Sequence, residues 1–280
     1  MTGNGSPHKL FSGSDPVADG FGRDVRVLRE PTVYLVGRQA TDTTEMDRFL
    51  ADHGVTWKTD TEVGGEYLAE FAGRLCYLSY ARPRPGGNKA YLGHILEVGH
   101  GSVLEHAVWN FIFTGISRSL THELVRHRHM GYSQLSQRYV DESVAEYVEP
   151  DVIAANPEMH AVWLDAIGHA HQAYVKLVEM LTEHYKDQPD KTLRRKLARQ
   201  AARSVLPNAT ETKIFVTANA RALRHFIEMR GSRDAEVEIR KLAVAVLRVM
   251  QKEAPNLFSD YSLVPLGDDT FEVTTPHRKV

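Results

Sequence analysis

Arg126-His127-Arg128 is followed, after seven intervening residues, by Ser136 within Ser133-Gln134-Leu135-Ser136-Gln137-Arg138-Tyr139. Three guanidiniums, two imidazoles and several short hydrogen-bonding side chains therefore fall within fourteen residues of a chain whose formal net charge is -2. Guanidinium forks bind phosphate and carboxylate through paired N–H donors, so this is the composition of a pocket for an anion. Local positive charge without global positive charge points to a small phosphorylated ligand. A nucleic-acid surface would show a basic balance and a pI above about 9, and this chain sits near 6.7.

Neighbouring motifs are weighed by what their spacing permits. His122-Glu123-Leu124-Val125-Arg126-His127 nearly forms the zinc-protease signature, but Arg126 stands where the second histidine belongs. His127 comes one residue late, about 100° further round a helix. A metal site using His122, His127 and His129 needs a helix break. Gly99-His100-Gly101-Ser102-Val103-Leu104 has Leu in place of the third glycine of a dinucleotide fingerprint, which argues against a Rossmann fold. No Walker loop is present, and Ser136 is not in a Gly-x-Ser-x-Gly elbow. Gln134, Ser136 and Arg138 alternate, so in an extended segment they would share one side. Arg195, Arg199 and Arg203, with Lys191, form a basic stripe on a helix; a solvated face is its ordinary explanation. Arg221 and His225 are four apart, and Arg230 closes the same helix.

Hydrophobic content of 42% with 25% charged residues is that of a soluble globular protein. No apolar run approaches the ~20 residues of a membrane span. Residues 1–25, rich in Gly, Ser, Pro and Asp without a signal-peptide core, are expected to be a flexible tail on a cytoplasmic protein, with residues 26–280 forming one catalytic domain. Cys76 is the only cysteine, which excludes an intrachain disulfide and a zinc site built on paired cysteines. Leu68, Phe71, Leu75 and Leu78 recur around it at helical spacing, predicting a buried, inert thiol.

The elements that must position these residues follow from periodicity and breakers. Strands are expected at 27–36, 108–113, 213–217, 261–266 and 271–274, and helices at 44–53, 65–79, 89–98, 158–185, 191–206, 220–229 and 235–253. Ser117 is expected to cap a helix running to about Arg128, followed by a polar loop over 133–139. Pro207 ends the 191–206 helix. The fold class is α+β, a small mixed or antiparallel sheet with a large helical portion.

Taken together, the chain resembles the flavin-dependent thymidylate synthases, the ThyX family, whose signature is Arg-His-Arg, any seven residues, Ser. The likeness extends to Phe71-Ala72-Gly73-Arg74, Gly99 to His106, Thr114 to Arg118, Arg199 to Arg203, Leu206 to Thr212 and Arg224 to Ile227, so it covers roughly Val27 to Leu266. It implies a ThyX-like fold and the reductive methylation of dUMP to dTMP, with 5,10-methylenetetrahydrofolate as carbon donor and NADPH reducing FAD. By position, the resemblance places Ser102, Arg126, His127, Arg128, Gln134, Asn219, Arg221 and His225 on FAD. It places Glu123, Leu124, Val125, Arg126, Gln134, Leu135, Ser136, Gln137, Arg138, Arg203 and Arg230 around dUMP. Arg230 takes the catalytic role of stabilising an N3 or O4 anion, since arginine stays protonated. The resemblance also implies a homotetramer with active sites at subunit interfaces, and neither a metal, a nucleic acid nor a membrane as partner. The segment before about Arg26 has no counterpart in it, and Ala220 offers the flavin little side-chain contact. Two other classes remain open on the residues alone: a nucleic-acid-binding module using the arginine segments, and a metal-dependent hydrolase using His122, His127 and His129.

Overall fold

The computed structural model describes residues 16–18, 24–82 and 85–278. The expected tail, residues 1–25, lies mostly outside them; of it, Pro16–Ala18 is described as strand β1, and Asp24 and Val25 begin the next strand. Next come β2 (Asp24–Leu28), β3 (Thr32–Arg38), α1 (Thr43–Asp52), α2 (Gly64–Leu75), α3 (Gly87–Glu97) and a 3-10 turn at Gly101–His106. The middle holds β4 (Val108–Ser117), α4 (Arg118–Leu124), β5 (Met130–Gln134), β6 (Glu146–Val148), α5 (Asp151–Ala154), α6 (Pro157–His184) and α7 (Lys191–Ala202). The chain then forms β7 (Glu211–Asn219), α8 (Ala220–Arg230), α9 (Val237–Glu253), α10 (Pro255–Phe258), β8 (Ser262–Pro265) and β9 (Phe271–Thr274). The fold is α+β, and contacts divide it into two compact units.

Among the described residues, the first unit comprises 16–18, 24–30, 114–122 and 134–213. Its sheet is mixed: β1 pairs antiparallel with β2, Val17 opposite Val25, and β2 pairs parallel with β6, Val27 opposite Tyr147. Val25, Ala145, Tyr147, Leu164 and Ile167 form its core. α6 starts where Asn156 Oδ1 accepts from the Glu158 and Met159 amides, with Pro157 at the first turn. α7 packs on it, capped by Asp190.

Among the described residues, the second unit comprises 31–82, 85–113, 123–133 and 214–278. It carries a four-stranded sheet in the order β3-β4-β7-β5, whose β4, β5 and β7 also include residues of the first unit, and a β8-β9 hairpin. Alternating burial along β4 places Trp109, Phe111 and Phe113 in the core. α9 buries Ile239, Leu242, Val246 and Met250 along one face and packs on α8, α10 and β3. Buried polar groups are tied together: Glu70 accepts from Arg74, Thr59 and Asn88, and Glu66 from Thr61 and Asn256. Arg224, wholly buried, binds both oxygens of Asp260 and the Leu257 carbonyl.

Four local expectations are corrected. The single strand over 27–36 is two strands in different sheets, interrupted at Pro31, which has no N–H for a ladder. α2 stops at Leu75, so Cys76 is an exposed cap residue instead of a core thiol, and Leu75 and Leu78 are exposed with it. Leu78 sits at φ 45, a left-handed turn that no helical period continues through. α4 stops at Leu124, four residues before Arg128. The polar loop over 133–139 is partly strand, because β5 runs to Gln134.

Candidate active site

The early end of α4 shapes the Arg-His-Arg segment. Ser117 Oγ accepts from the Leu120 amide at 3.0 Å and Thr121 Oγ1 donates to the Arg118 carbonyl. Past Leu124 the chain turns, with the Arg126 and His127 amides donating to the Glu123 and Leu124 carbonyls. Tyr132, from β5, sets its hydroxyl 2.8 Å from the Leu124 carbonyl and 2.9 Å from that of His127. Inside this frame His127 points inward, 6% exposed, while Arg126 and Arg128 face out. Helical placement of these residues would have put them about 100° apart; the turn instead lets two guanidiniums flank a buried imidazole.

α8 supplies the opposite wall. Asn219 caps it, its Oδ1 accepting from the Ala222 amide at 2.8 Å, which leaves the side-chain amide nitrogen for a ligand. Arg221, His225 and Glu228 stand at i, i+4 and i+7 on one face. Together with residues 126–130, Glu105, Asn219 and Ala222 they line a cavity of ≈ 690 Å³. Arg221 is paired with Glu105 at 2.6 Å, both 47% exposed, an ion pair weak enough for a ligand anion to displace. The helix N-terminus adds positive potential.

Six of the eight residues expected on FAD thus line one cavity: Arg126, His127, Arg128, Asn219, Arg221 and His225. Ser102 does not line it; it is exposed on the 3-10 turn that also carries Glu105. Gln134 belongs to the first unit. Sequence reasoning missed Glu105, Glu228 and Tyr132. The i+3 spacing of Glu228 from His225 was a signal; nothing local marked the other two.

At the C-terminal end of α8, Arg230 is held on three sides. Its Nη1 pairs with the Glu123 carboxylate, its Nη2 lies 3.4 Å from the Glu123 carbonyl, and its Nε donates to His127 Nε2 at 3.1 Å. The Glu236 carboxyl shares a hydrogen bond with Glu123, and that contact, with burial, pushes its pKa up to about 7. Burial, with Arg230 and His225 beside it, lowers the His127 pKa to about 4, so His127 is neutral at physiological pH. Its Nδ1 is buried with no hydrogen-bond partner. Since His127 Nε2 accepts from Arg230, the metal reading loses that atom as a ligand.

In the first unit the expected nucleotide residues share one segment. Gln134 Nε2 donates to Thr121 and Thr212, and the Leu135 amide donates to the Lys213 carbonyl. Beyond Gln134 the chain does not stay extended: Ser136 to Tyr139 is a turn, with the Tyr139 and Val140 amides on the Ser136 carbonyl. The one-sided row of Gln134, Ser136 and Arg138 is therefore corrected. Gln137 is the buried member, and its Nε2, like Arg138 Nε, is buried and unpartnered. Arg138 and Lys196 both lie over the Tyr139 ring, and the Lys196 hydrogen bond lowers the Tyr139 pKa. Lys196 was not expected. Arg199 bonds the Tyr139 carbonyl and Asp141, so this member of the α7 stripe is held, while Lys191 and Arg195 are exposed on a solvated face. Behind the segment lie Glu142, Glu211, Arg118 and Lys213; burial and Glu211 push the Glu142 pKa up to about 7, while burial lowers that of Arg118, with Arg203 close enough to add to the effect.

A family model described as thymidylate synthase complementing protein matches residues 59–256. The flavin-dependent thymidylate synthase of Mycolicibacterium vanbaalenii is 53% identical over 230 residues, covering 81% of this chain and 92% of that protein. Those of Mycobacteroides abscessus and Mycobacterium tuberculosis are 52% and 51% identical with the same coverage.

Proposed function

The chain belongs to the flavin-dependent thymidylate synthase family, and on that footing we propose that it methylates dUMP reductively to dTMP, with 5,10-methylenetetrahydrofolate, NADPH and FAD. The observation that carries the cofactor assignment is the cavity between the 126–130 turn and the start of α8. It gathers three arginines, a helix N-terminus and an unpartnered buried His127 Nδ1, a donor set that fits a diphosphate-bearing flavin. Arg126, Arg128 and Arg221 would take the anionic part, with the Asn219 amide and His225 beside it. The family resemblance also assigns Ser102 and Gln134 to the flavin, although neither lines this cavity. When bound, the flavin supplies the hydride that turns the transferred methylene into a methyl group, having been reduced by NADPH.

The nucleotide falls to the remaining residues. Arg138 and Arg203 suit its phosphate, as bidentate cations. Gln134, Ser136 and Gln137 offer hydroxyl and amide groups for ribose and base, and the family resemblance assigns Glu123, Leu124, Val125, Arg126 and Leu135 to the same nucleotide. Gln137 Nε2 and Arg138 Nε, both buried without partners, are donors that a bound ligand would satisfy. Arg230 acts electrostatically: fixed by Glu123 and His127, it presents its free Nη donors to charge developing at N3 or O4 of uracil without reorganising. Ser136 positions and does not attack. Cys76 is exposed at the end of α2, and the family resemblance assigns activation of uracil to electrostatics instead of thiol addition.

The assembly proposed is a homotetramer with active sites at subunit interfaces, in the cytoplasm and without nucleic-acid or metal partners. Among the described residues no helix is long and apolar enough to cross a membrane. The test is spectroscopic: the purified protein should be yellow, its NADPH-reduced flavin should reoxidise without oxygen when dUMP and methylenetetrahydrofolate are added, and dTMP should form. Reoxidation without dTMP would sink the proposal.

A further inference from the structure

Arg230 is expected on the nucleotide and His127 on the flavin, yet the two side chains bond each other. Arg230 Nε lies 3.1 Å from His127 Nε2. A guanidinium has donors and no acceptor, so Nε2 must accept; a neutral imidazole that accepts at Nε2 carries its proton on Nδ1. That Nδ1 is buried and has no partner in the protein. A buried donor without a partner is rare and costly in a folded protein. The ring cannot easily turn away, because His225 packs against it at 5.6 Å between centroids and Phe226 at 5.2 Å, both edge-on. Nor is Arg230 free to leave: Glu123 holds it through both carboxylate and carbonyl.

Resting on the flavin reading above, we propose that Arg230 is also a positioning residue for the cofactor. Its Nε–H locks His127 in the tautomer that presents an Nδ1–H donor to an acceptor atom of the flavin, while its Nη donors serve the nucleotide. Without the lock, His127 is free to move its proton to Nε2. Nδ1 then becomes a second acceptor aimed at an acceptor, and the bond to the flavin is replaced by repulsion.

The two halves of arginine chemistry separate in two variants. Arg230→Lys keeps the charge but places a methylene where Nε stood. Arg230→Gln loses the charge but places its amide nitrogen at the same distance along the side chain as Nε. FAD affinity, read by quenching of flavin fluorescence without dUMP, is expected to weaken about tenfold in Arg230→Lys, the size of one lost hydrogen bond. Arg230→Gln should stay within about twofold of the parent although it makes little dTMP. In His127→Asn, whose amide nitrogen overlies Nδ1 and has no tautomer, adding Arg230→Lys should change FAD affinity no further. A merely electrostatic or structural role predicts the opposite order, with Lys tolerated and Gln harmful. The proposal is overturned if Arg230→Lys binds FAD like the parent, if Arg230→Gln is the weaker of the two, or if the His127→Asn background shows the full Arg230→Lys loss. Failure of the parent itself to bind FAD removes the flavin reading instead.

Discussion

Glu142→Gln isolates the least comfortable charge behind the nucleotide segment. Glu142 is 5% exposed, its Oε1 has no hydrogen-bond partner, and its backbone N–H donates to the Tyr174 hydroxyl. Burial and the Glu211 carboxylate raise its pKa from 4.5 to about 7, against the smaller pull of Arg118 and Lys213. A displacement of that size corresponds to about 3 kcal/mol at about 1.4 kcal/mol per pH unit. The sign follows from linkage. The folded state holds the proton over a range where the unfolded state has released it, so stability is full below pH 4.5 and is lost as pH rises through 7. Glutamine mimics the protonated carboxyl and does not titrate, so the variant should gain on the parent across that window. Melting curves of both proteins at pH 5 and pH 8.5 measure the difference. The variant's melting temperature relative to the parent should rise by about 6–12 °C between the two pH values, taking about 2–4 °C per kcal/mol for a chain of this size. A constant offset between the two proteins at both pH values would refute the reasoning, since it would mean that Glu142 ionises in the folded protein at its ordinary pKa.

Three further outcomes follow from single contacts. Tyr132→Phe removes the hydroxyl that ties the Leu124 and His127 carbonyls; it should destabilise by about 1–2 kcal/mol and weaken FAD binding by titration, whereas a change in stability alone would show that the tie does not shape the cavity. Arg224→Ala removes a wholly buried guanidinium and leaves the partly buried Asp260, still bonded by Thr275, without its ion-pair partner; the denaturation midpoint should fall by the equivalent of about 3–5 kcal/mol, and a shift under about 1 kcal/mol would place the pair with exposed ones. Gly65→Ala drives a Cβ to 2.6 Å from the buried Trp109 ring, so thermal stability should fall by about 1–3 kcal/mol, with dUMP and FAD affinities unchanged in the folded fraction.

How far the sequence led can be argued from particular residues. Long amphipathic helices were legible: α6, α8 and α9 lie within a few residues of their expected spans because one face of each is continuously apolar or is stopped by a cap such as Asn156 or Asn219. Six of the residues that the family resemblance assigns to FAD line one cavity, but local spacing alone marked only Arg126 to Arg128 and, four apart, Arg221 with His225. What spacing could not give was the turn that ends α4 at Leu124. It depends on Tyr132 reaching back from the next strand, a contact set by tertiary structure. Cys76 misled for a related reason: the Leu68, Phe71, Leu75 period continues on paper after the helix has stopped, and Leu78 then adopts a left-handed backbone. Glu105 facing Arg221, and Arg230 facing His127, lie more than 100 residues apart in the chain and left no local signal.

The central claim is that the cavity between the Arg126-His127-Arg128 turn and the N-terminus of α8 holds the flavin. Titration of flavin-free protein with FAD, in the parent and in Arg126→Ala with Arg221→Ala, tests it most directly. The account predicts saturable binding at one FAD per chain in the parent, weakened by about a hundredfold in the double variant if each charged contact contributes about 1.5 kcal/mol. Equal affinity in the two proteins would contradict it.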